Sequence, residues 1–159
     1  MTLQELYFKN CELDQKSVEK YGMIPDYVAK NCIALLVELV EFTNETKCFK
    51  YCSVKKPKKA EMLEELADCL MLRMQFLHYY HFDCEVNMTG LTDSVLELLN
   101  ELFQMTSCLM QEASVARVKG IYWRLWKLGK VFGFSQEEII DACEKKIKKC
   151  YHRLEDENY

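Results

Sequence analysis

Apolar residues recur three or four positions apart along most of the chain, and this spacing is typical of α-helices. The pattern falls into six stretches, separated by residues that favour turns. These breaks lie near Gly22, Pro25, Pro57, Gly90, residues 113–115 and Gly133. The pattern therefore predicts an all-α fold, a bundle of about six helices.

Local signals sharpen the ends of these helices. Thr2 with Glu5, and Ser135 with Glu138, have the spacing of a capping box, in which side chains bond the free amides at the start of a helix. Helix two is predicted to be buried on almost every side, because apolar residues occupy most of its positions. These residues are Val28, Cys32, Leu35, Leu36, Leu39, Val40 and Phe42.

Composition agrees with this fold class. Half of the 159 residues are hydrophobic, and five glycines and two prolines leave little material for the many turns of a β-sandwich or barrel. The length suits a single domain that spans residues 1–159. A net charge of -4 argues against a duplex nucleic acid partner, which usually requires a basic face.

The cysteines and the first residues bear on the cellular compartment. There are nine cysteines, an odd number, and the chain begins without the basic end and apolar run of a secretory signal. No uncharged apolar stretch is long enough to cross a bilayer. We therefore expect reduced thiols in a soluble cytoplasmic protein with no membrane contact.

Two of the predicted helices carry acidic residues between their apolar ones. In each helix the acids are three and four positions apart, which puts them on one face. They are Glu38, Glu41 and Glu45 in helix two and Glu61, Glu65 and Asp68 in helix three. Carboxylates that share a buried setting are costly unless cations neutralise them.

A hard divalent cation would neutralise these acids. Mg²⁺ prefers oxygen ligands and keeps water and substrate phosphates in its shell, so a few carboxylates on two antiparallel helices suffice. The ordinary alternative for one acidic pair is a solvated face paired with lysines. Helix two, however, has no lysine between residues 31 and 46. The sequence therefore predicts a magnesium site between helices two and three.

Several motifs resemble the dimeric all-α dUTPase family, which belongs to the MazG-like superfamily of nucleoside triphosphate pyrophosphatases. They are LQEL at residues 3–6, ALLVELVE at 34–41, FKY at 49–51, KP at 56–57 and EELAD at 64–68. The paired acids are the most specific of these motifs, and residues 85–130 contribute little to the resemblance. It implies an enzyme that hydrolyses dUTP to dUMP and pyrophosphate.

The resemblance also implies roles for individual residues. Mg²⁺ ions that polarise the triphosphate would be held by Glu38, Glu41, Glu65 and Asp68. We assign Glu41 as the catalytic residue that orients or deprotonates the attacking water. The expected nucleotide contacts are Asn10, Lys50, Lys146 and Arg153.

The resemblance further implies a homodimer. Helices four and five carry more large apolar residues than one small domain easily covers, and we expect the interface there.

The chain departs from the family pattern at four predicted contact positions. Asn10 stands where the family usually has Gln, Cys52 where it has Trp, and Ile147 and Cys150 where its C-terminal K-N-x-x-N-x-x-R motif has asparagines. The remaining charges favour triphosphate binding, but fewer amides weaken base discrimination. We expect dCTP as a second substrate. A pyrophosphatase for another nucleotide and a weak relative that binds a regulatory partner stay open.

Overall fold

The computed structural model describes residues 1–52 and 54–156. These residues form six helices and no strand, which confirms the predicted fold class. The helices are α1 (Leu3–Tyr21), α2 (Tyr27–Thr46), α3 (Lys59–Tyr79), α4 (Val95–Gln111), α5 (Val115–Val131) and α6 (Gln136–Glu155).

The helix boundaries follow the local signals of the sequence. The Thr2 hydroxyl accepts a hydrogen bond from the Glu5 amide, and the Glu5 carboxylate accepts one from the Thr2 amide. Ser135 and Glu138 form the same capping box at the start of α6. At the end of α1, Gly22 adopts a φ of 80°, which costs a residue with a Cβ more than it costs glycine. Both predicted capping boxes are therefore confirmed.

Helix α3 is the centre of the bundle and packs against α1, α2, α5 and α6. Its neighbour α2 runs in the opposite direction, because Arg73 contacts Asn31 while Asp68 lies near Glu38. Helix α4 packs on both α2 and α5. The α2 and α3 pair therefore brings the two acidic faces of the sequence to the same side of the bundle.

Helix α2 is less enclosed than its composition predicted. Leu35, Leu39 and Phe42 are fully buried against the core. On the opposite side, Ile33, Val37 and Val40 are 52%, 51% and 57% exposed, and their spacing makes one continuous stripe. The prediction that α2 is buried on almost every side is wrong, because no described helix packs over this stripe.

Helix α5, in contrast to α2, buries most of its large apolar residues within the chain. Ile121, Tyr122 and Leu125 of this helix are fully buried within the chain. Helix α5 packs mainly against α3 and α4. The predicted dimer interface on helices four and five stays a prediction, and Leu96 of α4 and Val115 of α5 are 60% and 54% exposed.

Two further predictions concern the environment of the protein. No helix in the described part of the chain has the length and apolar character needed to cross a membrane. All nine cysteines are free, and five of them are buried, namely Cys11, Cys32, Cys69, Cys84 and Cys143. They pack as small apolar side chains rather than as disulfide bridges.

Candidate metal centre

Three of the four predicted metal ligands meet between α2 and α3. Glu38 of α2 and Glu65 and Asp68 of α3 each offer a carboxylate oxygen, and these oxygens lie within 4.8 Å of one another. Glu65 and Asp68 reach the same spot because three residues make almost one helical turn. We refer to these three residues as the acidic cluster.

Two of the acids outside the cluster, Glu45 and Glu61, are each paired with a lysine. Glu45 lies 3.4 Å from the Lys47 ammonium, and Glu61 accepts a hydrogen bond from Lys58 at 2.6 Å. Within the described residues, neither Glu38 nor Glu65 forms an ion pair of this kind. The ordinary explanation of an acidic helix face therefore holds for Glu45 and Glu61, but not for the acidic cluster.

Burial and mutual repulsion make the acidic cluster hard to ionise completely. The pKa of Glu65 is raised to about 7, first by burial and then by neighbouring carboxylates, of which Asp68 acts most strongly. Burial also raises the pKa of Glu38, with further contributions from Asp68 and Glu41. Raised carboxyl pKa values in one cleft are typical of functional sites.

Lys146 is the cation that lies at the cluster. It projects from α6, and its ammonium donates to the Asp68 carboxylate at 2.5 Å. Burial raises the pKa of Asp68 despite this bond. Burial lowers the pKa of Lys146, but the hydrogen bond to Asp68 and the charges of Asp68 and Glu38 outweigh it and raise the pKa. One ammonium faces three carboxylates, so the cluster keeps an excess of negative charge.

This donor set fits a hard divalent cation. The ligand atoms are carboxylate oxygens, which Mg²⁺ prefers. They are half-buried, so they are partly held in place yet remain open to water and ligand. A divalent cation would also supply the positive charge that one lysine does not.

Glu41 does not join the other three acids. Its side chain is exposed on α2, one turn beyond Glu38. Its charge still raises the pKa of both Glu38 and Glu65, so it lies close to the cluster. The structure therefore places the predicted catalytic Glu41 at the solvent side of the acidic cluster.

A cavity of about 330 Å³ opens beside the acidic cluster, where α1, α3 and α6 meet. Lys146 and Arg153, two of the predicted nucleotide contacts, line it together with Cys150, Glu38 and Asp68. The other lining residues are Leu13, Ser17, Tyr21, Met71, Leu72, Gln75 and Leu154. Ile147 is 2% exposed and faces the core. The cavity thus joins a charged end at the cluster to a largely apolar wall.

Asn10 lies under this cavity rather than in it. The residue is fully buried, and its side-chain amide donates to the Met71 carbonyl at 3.1 Å. Met71 itself lines the cavity. The expected nucleotide contact at Asn10 stays a prediction, and the observed bond ties α1 to α3 behind the cavity wall.

Lys50 lies away from the acidic cluster. It follows the end of α2, where Lys47 adopts a left-handed conformation that turns the chain. The Lys50 ammonium donates to Asn44 at 2.6 Å, and the residue lines a separate cavity of about 390 Å³ with Phe49, Tyr51 and Cys52. The structure does not bring Lys50 or Cys52 together with the other predicted contacts.

The apolar wall of the cavity was not predicted from the sequence. Met71, Leu72 and Gln75 follow Asp68 on α3 at spacings of three, four and seven residues, which place all four on one face of the helix. The spacing of these residues shows that they share a face of α3. It does not show that α1 and α6 close over this face, so the cavity could not be predicted from it.

The chain matches the model of a known protein family. The model of one family, described as dUTPase, matches residues 2–159, nearly the whole chain. The match includes the acidic cluster, Lys146 and Arg153. No curated protein matches the chain.

Proposed function

The chain belongs to the dimeric all-α dUTPase family, and from this premise we propose that it hydrolyses dUTP to dUMP and pyrophosphate with the help of Mg²⁺. Family membership makes it a dUTP diphosphatase-like nucleoside triphosphate pyrophosphatase. The proposal adds the metal and the preferred substrate. The observation that carries it is the acidic cluster at the mouth of a cavity that Lys146 and Arg153 also line.

Each end of the cavity has a separate role in this proposal. Glu38, Glu65 and Asp68 would hold Mg²⁺, which when bound supplies Lewis-acid polarisation of the phosphates and a more acidic water. Lys146 and Arg153 bind triphosphate oxygens by charge. Base and sugar then lie against the apolar wall, which excludes water from them.

Glu41 is the residue we propose for the water. Its exposed carboxylate at the solvent side of the cluster accepts a proton as the water oxygen bonds to the α-phosphorus. The bond from that phosphorus to the oxygen bridging it to the β-phosphorus then breaks. Pyrophosphate leaves with this oxygen, and dUMP carries the oxygen of the water.

Pyrophosphate release measured across a panel of ribonucleoside and deoxyribonucleoside triphosphates tests this function. We expect the highest kcat/KM with dUTP and the next highest with dCTP, dependence on added Mg²⁺, and loss of turnover with a chelator. A strong preference for a purine would contradict the substrate. Absence of turnover with every nucleotide, in protein shown to bind Mg²⁺, would favour a regulatory binding protein.

We also propose that the protein is a homodimer that buries the exposed stripe of α2. Ile33, Val37 and Val40 form an apolar surface that a second copy would cover in a symmetric, self-complementary contact. Leu96, at the start of the adjoining α4, is also 60% exposed. The stripe lies on the side of α2 opposite its buried residues Leu35, Leu39 and Phe42.

Light scattering tests the dimer. Wild-type protein at micromolar concentration should have about twice the chain mass of 18.9 kDa. Val37→Glu places a charge in the stripe and should give monomers. Val54→Glu is the matched control, because Val54 is 99% exposed in a loop. A monomeric wild type, or a Val37→Glu dimer, would contradict this interface.

The remaining proposals concern organisation and compartment. We propose that residues 1–159 form one domain, because α3 contacts four other helices and leaves no natural division among the described residues. We place the protein in the cytoplasm, where nine unpaired cysteines would stay reduced.

A further inference from the structure

Gln75 lies on the wall of the cavity, at some distance from the charged end. It follows Asp68 by seven residues on α3, so the two share a face and are about 10 Å apart along the helix axis. Both line the same cavity. Phosphates held near Asp68 would leave a nucleoside to extend along α3 toward Gln75.

The surroundings of Gln75 leave its amide available to a ligand. Among the described residues, its side chain makes no hydrogen bond, although it is only partly exposed. The Ser17 hydroxyl donates to the Leu13 carbonyl within α1, so it is already engaged. Met71 and Leu72 are apolar. Gln75 is therefore a neutral residue of the wall that offers both a donor and an acceptor, and its position on α3 in line with Asp68 distinguishes it from Tyr21, whose hydroxyl also offers both.

We propose that Gln75 reads the base of the substrate and accepts uracil and cytosine alike. This inference rests on the proposed pyrophosphatase function and names a specificity residue for it. The amide would hydrogen-bond the edge of a pyrimidine that lies against Met71 and Leu72.

Rotation of the amide explains the double preference. With uracil, the Gln75 NH₂ group donates to the O4 carbonyl and the Gln75 carbonyl accepts from N3–H. With cytosine, the amide turns by half a rotation, so that its carbonyl accepts from the N4 amine and its NH₂ group donates to N3. Since no described residue hydrogen-bonds this amide, nothing of that kind fixes one orientation. Uracil and cytosine nucleotides should therefore bind with similar affinity.

Calorimetry with non-hydrolysable α,β-imido analogues of dUTP and dCTP, in the presence of Mg²⁺, tests this role without requiring turnover. Wild-type protein should bind the two analogues within about tenfold of each other. Gln75→Met keeps the length of the side chain but removes both hydrogen-bonding groups, and should weaken both complexes roughly tenfold. Inorganic triphosphate, which has no base, should bind the variant and the wild type equally.

Gln104→Met is the matched control, since Gln104 is exposed on α4 outside the cavity, and it should change nothing. Unchanged binding of both analogues to Gln75→Met would overturn the inference. Weakened binding of only one analogue would overturn the amide rotation. Failure of the wild type to hydrolyse any nucleotide would count against the proposed function instead, and the two failures are thus distinguishable.

Discussion

Helix α3 carries two buried charges that differ in almost every respect. Asp68 belongs to a half-buried group of three carboxylates that opens into a cavity. Arg73, five residues later, is fully enclosed, donates to the Asn31 side chain at 2.6 Å, and lies with its guanidinium carbon 4.2 Å from the Phe76 ring centre. The carboxylates are accessible and have too few cations to neutralise them, whereas the Arg73 guanidinium is enclosed by the surrounding protein.

The comparison shows that burial of a charged residue does not by itself indicate a ligand site. Burial lowers the pKa of Arg73 to about 10. No described carboxylate pairs with its guanidinium. Arg73 nevertheless lines none of the cavities named above. Its hydrogen bond to the Asn31 side chain ties α3 to α2, and its contact with the Phe76 ring lies within α3. The acidic cluster has raised carboxyl pKa values, an adjoining cavity and one lysine for three acids. A perturbed charge indicates a ligand site when it also remains accessible.

Removing a cluster carboxylate should have the largest effect on activity. Asp68→Asn and Glu38→Gln should each lower kcat/KM more than about 100-fold, because a lost metal ligand costs more than the loss of a group that merely supports one. Both should also abolish the rise in melting temperature on adding Mg²⁺. Kinetics and thermal denaturation check these outcomes.

Glu61→Gln is the matched control for those variants. Glu61 also lies on α3 but pairs with Lys58, so turnover and the magnesium effect should persist. If Asp68→Asn behaved like Glu61→Gln, the metal would lie elsewhere.

Loss of the Arg73 partner should affect stability instead. Asn31→Ala removes the acceptor at 2.6 Å and should lower the free energy of unfolding by about 1.5–3 kcal/mol, the usual value of a hydrogen bond to a charged group. Urea denaturation measures this change. The magnesium-induced rise in melting temperature should be kept.

Asn100→Ala, at an exposed position of α4, is the control for that experiment. A variant as stable as the wild type would show that Arg73 does not depend on Asn31. A lost magnesium effect would show that the two sites of α3 are coupled.

Lys146 can sharpen the comparison, because it is the cation nearest the cluster. Lys146→Met removes a competitor for Asp68 and should raise the Mg²⁺ affinity of nucleotide-free protein by a few fold, on the order of 1 kcal/mol. Magnesium titration by calorimetry measures this affinity. Lys149→Met should have a smaller effect, since Lys149 pairs with Glu64 outside the cluster. A fall in affinity would mean that Lys146 organises the cluster for metal.

The acidic cluster should also make the stability of the protein depend on pH. The native pKa of Glu65 is raised from 4.5 to about 7, so the folded protein binds this proton more tightly than the unfolded chain. The resulting stability is fully present below about pH 4.5 and is lost as the pH rises through about 7. The melting temperature of metal-free protein should therefore fall as the pH rises from about 4.5 through about 7.

Thermal denaturation with a chelator, over a series of pH values, measures this loss. Glu65→Gln should flatten the dependence, because the amide does not titrate. Saturating Mg²⁺ should also oppose the loss, since metal binds the ionised carboxylates. A wild type that gained stability over this interval would contradict the raised pKa.

The sequence by itself determined the elements of this protein. Six helices, two capping boxes and the stop at Gly22 follow from residues within one or two turns of each other, and the structure agrees with them. The spacing of Glu65 and Asp68 likewise determined that both would leave α3 on one side. Such features depend on helical periodicity and on local hydrogen bonds, which a sequence displays directly.

Only the tertiary structure decided which faces meet. Ile33, Val37 and Val40 carry the same apolar signal as Leu35 and Leu39, but the packing of α3 and α4 left the first group outside. In the same way, Glu41 was left at the solvent side of the acidic cluster, Lys50 lines a different cavity, and Gln75 was brought to the cavity wall. These outcomes depend on contacts between residues far apart in the chain, and periodicity along one helix does not specify which neighbour covers it.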